Sequence, residues 1–118
     1  MDPLVKNILW DGVEDFTGLW DVVFEVQRTE GFTQSSPEEC REKAREVLEL
    51  LLADGLIDLY TCGWPLDNEA AEVVLPEDRS AILRTDLSWT VEAETLVWFA
   101  TTDKGLDFYG EETLPGGE

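Results

Sequence analysis

The stretch SSPEECREKAREVLELLLADGLIDLYTC, residues 35–62, contains in order the start of a helix, its apolar face, its end and a strand. Ser36 can cap the helix, and Pro37 follows at the first helical position, where the missing N–H of proline costs nothing. Glu39 stands three residues after Ser36 and can complete a capping box with it. We therefore predict that the helix begins at Pro37.

The same stretch also specifies where this helix ends. Its apolar residues recur every three or four positions, which is the spacing of one helical face. Gly55 can adopt the left-handed conformation that closes a helix, so the predicted helix spans 37–54. Branched and aromatic side chains over 56–62 favour a strand directly after it. The apolar face consists of Cys40, Ala44, Val47, Leu48 and Leu51.

Two further helices are predicted before this stretch. Residues 3–10 form a short apolar segment that Asp11 and Gly12 interrupt, so we expect one short helix there. Residues 15–28 show the 3.6-residue period of an amphipathic helix, which Gly31 ends. Its apolar stripe consists of Phe16, Leu19, Trp20, Val23 and Phe24.

After the strand at 56–62, residues 66–75 fit helix, strand and loop equally well. Residues 76–87 predict a helix because Pro76 is well placed near its first position. Residues 88–95 are predicted as a loop that carries Trp89. The apolar contacts of the predicted helix are Ala81, Ile82 and Leu87.

The chain ends with a strand and a helix. Residues 95–101, TLVWFAT, are apolar on both faces, which predicts a central or covered strand. Thr102 can cap the helix that follows, in which Leu106 and Tyr109 would face inward.

These elements predict one α+β domain with helices packed on a small antiparallel sheet, because the chain lacks the long β-α-β units of a parallel sheet. The domain is expected over 1–110, and residues 111–118 are expected to form a flexible acidic tail. The side chains expected to be mutually buried are Trp20, Leu48, Leu51 and Phe99.

Two segments, LLLADGLIDLY (50–60) and WFATTDKGLDFY (98–109), resemble the winged-helix family of transcription regulators. In that family, phrases like the first end the DNA-recognition helix and open the wing, and phrases like the second close the wing. The resemblance implies a winged-helix-like fold with DNA binding through the helix at 36–54. The whole chain also resembles small, acidic, tryptophan-rich bacterial proteins of unknown activity.

The charge of the chain argues against DNA binding. Its formal net charge is -19, from 27 acidic and 8 basic residues, and such a surface repels nucleic acid and anionic membranes. From Glu46 to Asp78 there are nine acidic residues and neither Lys nor Arg. In the helix at 36–54, six acids outnumber three bases. Two of those bases, Arg41 and Arg45, lie within three or four residues of Glu38, Glu42 and Glu49 and can pair with them.

The sequence predicts neither an active site nor a metal or cofactor site. The chain has no histidine, which removes the commonest general base and the commonest zinc ligand. It has no phosphate-binding or dinucleotide-binding glycine motif. Cys40 is expected in the core, and reduced thiols are expected for Cys40 and Cys62, although their pairing stays open. Nothing marks the chain for export or for a membrane, so we expect a cytoplasmic protein.

The favoured hypothesis is a protein-binding module that masks a basic partner, such as an immunity protein or antitoxin that inhibits a toxin. The alternatives are a winged-helix regulator and an adaptor without inhibitory role, and the oligomeric state stays open. Trp20 and Trp98 are expected in the core, whereas Trp10, Trp64 and Trp89 lie at element ends or in loops, where partner contacts are typical. The predicted partner-binding residues are Asp54, Asp58, Tyr60, Trp64, Asp67, Glu69 and Glu72.

Overall fold

The computed structural model describes residues 3–14, 16–29, 31–63, 67, 69–92 and 94–113. The chain folds into helices packed against a four-stranded antiparallel sheet, which confirms the predicted α+β class. The elements in chain order are α1 (Pro3–Glu14), β1 (Thr17–Gly18), α2 (Leu19–Arg28), α3 (Pro37–Ala53), β2 (Ile57–Gly63), β3 (Glu72–Val73), a 3-10 turn (Pro76–Asp78), α4 (Arg79–Leu83), a second 3-10 turn (Asp86–Trp89), β4 (Thr95–Thr101) and α5 (Asp103–Thr113).

The strand β4 lies at the centre of the sheet, whose order is β1-β4-β2-β3. Phe99 of β4 lies opposite Leu59 of β2 on one side and Thr17 of β1 on the other. Residues 96–99 are all buried. Because successive side chains of a strand point to opposite faces of the sheet, both faces are covered at β4. The predicted central position of this strand is confirmed.

The start of α3 forms as predicted. The Glu39 amide donates to the Ser36 hydroxyl at 3.2 Å, and the Ser36 amide donates to the Glu39 carboxylate at 3.1 Å, which makes the capping box complete. These two bonds satisfy amides that have no partner within the helix.

The end of α3 also forms as predicted. Gly55 has a positive φ of 73°, which only glycine adopts readily. The amide of Leu56 returns to the carbonyl of Leu51 at 2.9 Å, which is the long hydrogen bond of a Schellman motif. β2 therefore starts directly after the turn, with its direction fixed by the helix end.

The main core lies between the helices and one face of the sheet. Leu48, Leu51 and Phe99 are buried there, as predicted. Trp20 is not part of this cluster, so the prediction of a common core with these three residues is wrong for Trp20. It is half-buried on the other face of the sheet, edge-on to Trp98 with ring centroids 4.9 Å apart. The sheet thus has a second, smaller apolar cluster.

The first helix is longer than expected, since α1 continues through Asp11 and Gly12 to Glu14. A Cβ atom on Gly12 would lie 2.5 Å from the Thr101 Oγ1 atom and 2.7 Å from the Phe99 ring. Gly12 therefore allows α1 to pack closely on β4 and does not end the helix. The residues whose closeness requires a glycine here, Phe99 and Thr101, lie far from Gly12 in the sequence.

The second helix is shorter than expected, and its predicted apolar stripe is confirmed only in part, since Leu19 is buried and Val23 packs against the main core. α2 begins at Leu19, because Thr17 and Gly18 pair with β4 as a strand. Leu19, Val22 and Val26 are the buried residues of α2. Phe24, which the predicted stripe included, is 53% exposed.

Residues 76–87 also differ from the prediction of one continuous helix. The segment winds as a 3-10 turn, a short α-helix and another 3-10 turn, so its angle per residue changes twice. Leu83 is consequently the buried residue of α4, whereas Ala81 and Leu87, two of the predicted contacts, are exposed.

The last helix is capped as predicted, because the Thr102 hydroxyl accepts the Gly105 amide at 3.0 Å. Leu106 is exposed, contrary to the prediction that it faces inward. Tyr109 is half-buried and stacks on Trp10, with ring centroids 5.5 Å apart. α5 continues to Thr113, and residues 114–118 of the predicted tail lie outside the described residues.

Candidate functional site

The predicted partner-binding residues are distributed over β2, β3 and the turns beside them. Asp54 caps the end of α3 and is exposed. Asp58 and Tyr60 lie on one face of β2, whereas Glu72 pairs with Thr61 and therefore points to the opposite face. The structure thus divides this set between two faces of the sheet. Trp64, its expected anchor, lies outside the described residues.

Asp58 already has an ionic partner within the protein. Its Oδ1 atom lies 3.0 Å from the Arg79 guanidinium, and both side chains are partly buried. Tyr60, two residues further along β2, stacks on Phe16 with ring centroids 4.7 Å apart. Burial, together with the nearby Asp58 charge, raises the pKa of the Tyr60 hydroxyl. Both residues therefore have internal contacts that account for their positions.

Asp67 organises the turn that precedes β3. Its carboxylate accepts the Glu69 amide at 3.0 Å, and its carbonyl accepts the amides of Ala70 and Ala71, each at 3.0 Å. The Cys62 thiol donates to the same carbonyl at 3.6 Å. The turn leaves Glu69 and Asp67 exposed, so their carboxylates are accessible to a partner.

All five arginines of the chain form salt bridges with carboxylates of the protein. Arg45 pairs with Glu42 and Glu49 along α3, as the spacing predicts. The hydrogen bond from Arg45 lowers the pKa of the Glu42 carboxyl and raises the pKa of the guanidinium. The charge of Arg45 is therefore compensated within the helix.

Arg41 pairs with Asp86 at 3.2 Å and not with a glutamate of α3. The 3-10 turn that carries Asp86 packs beside the first turns of α3, a contact that the helical spacing alone does not predict. Arg84 reaches the Glu49 carboxylate at 3.7 Å, so two arginines share that glutamate.

The outer face of α3 is acidic. Four glutamates along its first three turns are exposed, and they border a shallow cavity together with Ser36 and Lys43. The Lys43 ammonium lies over the Phe32 ring, 5.9 Å from its centroid, a distance typical of a cation–π contact. The exposed glutamates are Glu38, Glu39, Glu42 and Glu46.

A groove between α2, the start of α3 and the second 3-10 turn was not predicted. Its volume is about 330 Å³, and its walls are mainly apolar side chains. Trp89 ends the second 3-10 turn, where a loop was predicted, and is buried beside the groove; its indole nitrogen donates to the Leu83 carbonyl at 2.9 Å. The sequence signal was present in α2, whose apolar surface extends past the core-facing residues to Trp20 and Phe24.

Both cysteines are free and buried, Cys40 in the main core and Cys62 in the smaller cluster. Burial raises the pKa of the Cys40 thiol, which favours the uncharged form of a core residue. Across the part of the chain that the structure describes, no group of three or more His, Cys, Asp or Glu residues is placed to hold a metal ion.

None of the described helices is both long and apolar enough to cross a membrane. Comparison of the chain with protein-family models, with curated proteins and with solved structures found no match in any of the three.

Proposed function

We propose that this protein is an acidic protein-binding module that masks a basic partner protein, in the manner of an immunity protein or antitoxin. The observation that carries the proposal is the distribution of charge. The arginines are held in salt bridges within the protein, whereas Glu38, Glu39 and Glu46 on the outer face of α3 are exposed and form no salt bridge with another described residue. The accessible charge is therefore strongly negative, which attracts cationic surfaces and speeds association with them.

The scaffold that we propose is winged-helix-like. The order α1, β1, α2, α3, β2, β4, with β4 between β1 and β2, supports this proposal. In such a scaffold α3 would be the helix that reads DNA. Its exposed glutamates would face the phosphates there, and phosphate neutralisation supplies nearly all non-specific affinity for DNA. A scaffold used for proteins fits these charges better than one used for DNA.

The first test concerns duplex DNA. At physiological salt we expect no binding tighter than roughly 10⁻⁴ M, the weak end of non-specific binding. Fluorescence anisotropy with a labelled duplex measures this directly, and a basic DNA-binding domain serves as positive control. Nanomolar binding at that salt concentration would overturn the proposal and favour a transcription regulator.

The second test uses the partner itself, captured on the immobilised protein from cells that encode this chain. Added salt should slow association, and Asp54→Lys or Glu72→Lys should slow it several-fold, because exposed charges act mainly on the association rate. Stopped-flow mixing measures that rate. Asp107→Lys on α5 is the matched control, because it changes the net charge equally at an exposed site outside the predicted partner-binding residues.

If the association rate did not depend on salt concentration, the electrostatic basis of the proposal would be wrong. The inhibitory role has its own readout, which is the activity of the captured partner. If the partner is a toxin, its activity should be lost when it is mixed with an equimolar amount of this protein. Full activity in the complex would favour an adaptor.

A further inference from the structure

The apolar surface of α2 is wider than its core-facing side. Leu19, Val22 and Val26 are buried in the main core, and Val23 packs against it. Beside them, Trp20 and Phe24 continue the apolar surface and, with Val23, line the groove that leads to Pro37 and Trp89. The outer part of this surface is only partly covered, because Phe24 is 53% exposed.

The groove has charged residues at its rim. Glu38 and Asp86 contribute carboxylates, and Arg41 is the basic residue of the lining. Arg41 is already paired with Asp86, whose side chain is 86% exposed. The lining is therefore net negative, and it belongs to a chain with a net charge of -19. An anionic ligand would have to approach against that field and compete with Asp86 for Arg41, whereas a cationic segment meets neither obstacle.

The size of the groove fits one side chain of a partner. Its volume of about 330 Å³ is at the small end of ligand pockets, and it is open to solvent along one side. Tryptophan and other aromatic residues dominate the pockets that anchor protein partners, and such pockets are commonly surrounded by polar rims. Trp20, Phe24 and Trp89 supply this kind of lining here.

We propose that this groove is the anchor site for a segment of the basic partner that carries one aromatic or large aliphatic side chain flanked by Lys or Arg. The apolar side chain contacts Trp20, Phe24 and Trp89, and the flanking cations face Glu38 and Asp86. This inference rests on the proposed function and places the apolar anchor on α2 and the second 3-10 turn.

The test uses an acetylated, amidated pentapeptide Lys-Lys-Phe-Lys-Lys as probe, titrated into isotope-labelled protein and followed by NMR. We expect the Trp20 and Trp89 indole signals and the Phe24 amide to shift. Replacing the peptide's phenylalanine by alanine should weaken binding about tenfold. Phe24→Ala and Glu38→Lys should each weaken it several-fold. Leu106→Ala and Asp107→Lys, exposed positions on α5, are the matched controls and should leave the affinity unchanged.

Three outcomes would overturn the groove assignment. The first is equal binding of the phenylalanine and alanine peptides, with NMR shifts confined to the exposed glutamates of α3. This result would overturn the groove assignment but not the proposed function. Tighter binding of Glu-Glu-Phe-Glu-Glu would show an anion site at Arg41. Concentration-dependent shifts of the same groove signals without peptide would identify a second copy of this chain as the occupant. The captured partner tests the proposed function separately, through the salt dependence of its association.

Discussion

Replacing Phe99 by alanine is expected to lower the free energy of unfolding by about 3 to 5 kcal/mol. Phe99 is fully buried in the central strand β4. Leu59 and Thr17 lie opposite it on the two neighbouring strands. Because β4 is hydrogen-bonded on both edges, the surrounding backbone can move little into the cavity that the lost ring leaves. The cost should therefore lie in the upper part of the range for large-to-small core changes.

Equilibrium unfolding in urea measures this loss. Phe24→Ala is the matched control, since it removes the same atoms from a side chain that is 53% exposed. It should cost only about 1 kcal/mol, in proportion to the smaller area that it buries. If both variants lost the same stability, the burial assigned to Phe99 and the sheet register at that position would be wrong.

The parts of the fold that were predicted correctly depend on residues close together in sequence. The limits of α3 follow from Ser36, Glu39 and Gly55, whose hydrogen bonds span three to five residues. The central position of β4 follows from its own continuous apolar sequence. In each case the physical cause lies within one segment, so a pattern within that segment is sufficient to predict it.

The parts that were wrong depend on distant partners. Gly12 was predicted to interrupt the first helix, yet it lies within α1 at a close contact with β4. The stripe of α2 was only partly right, because the apolar surface of that helix is wider than its core-facing side, and periodicity alone cannot say which part meets the core. Only the packing of β4 and α3 against the helix distinguishes the covered part from the exposed part.

The same division holds for the candidate site. The excess of acids over bases was readable from the sequence, and so was the pairing of Arg45 along α3. The pair between Arg79 and Asp58 joins residues 21 positions apart, so no helical spacing could indicate it. The groove between α2 and the second 3-10 turn likewise combines segments separated by most of the chain.

Gly105→Ala is expected to destabilise the protein by about 2 to 3 kcal/mol, although alanine is the better helix former. A Cβ atom at this position would lie 2.1 Å from the Leu56 carbonyl oxygen and 2.6 Å from the Thr101 Cγ2 atom. That carbonyl also accepts the Thr102 amide at 3.0 Å. Relieving the overlap must move α5 away from the start of β2 and strain this hydrogen bond. Because the overlap is with backbone atoms of Leu56, we expect a cost at or just above the upper end of the usual overpacking range of about 1 to 3 kcal/mol. Subtracting the gain of about 1 kcal/mol in helix propensity leaves the net loss of about 2 to 3 kcal/mol.

Gly110→Ala on the same helix separates these two effects. Apart from its chain neighbours and the backbone of α5 itself, no atom of the described residues lies within 4 Å of a Cβ atom built at Gly110, so the added methyl group meets open space there. Only the helix propensity changes, and Gly110→Ala should stabilise the protein by about 0.5 to 1 kcal/mol. In urea unfolding, Gly105→Ala should therefore lower the free energy of unfolding and Gly110→Ala should raise it. If Gly105→Ala also stabilised the protein, α5 would not rest on the turn between α3 and β2. The exposed Asp54 beside that turn would then be positioned by the end of α3 alone.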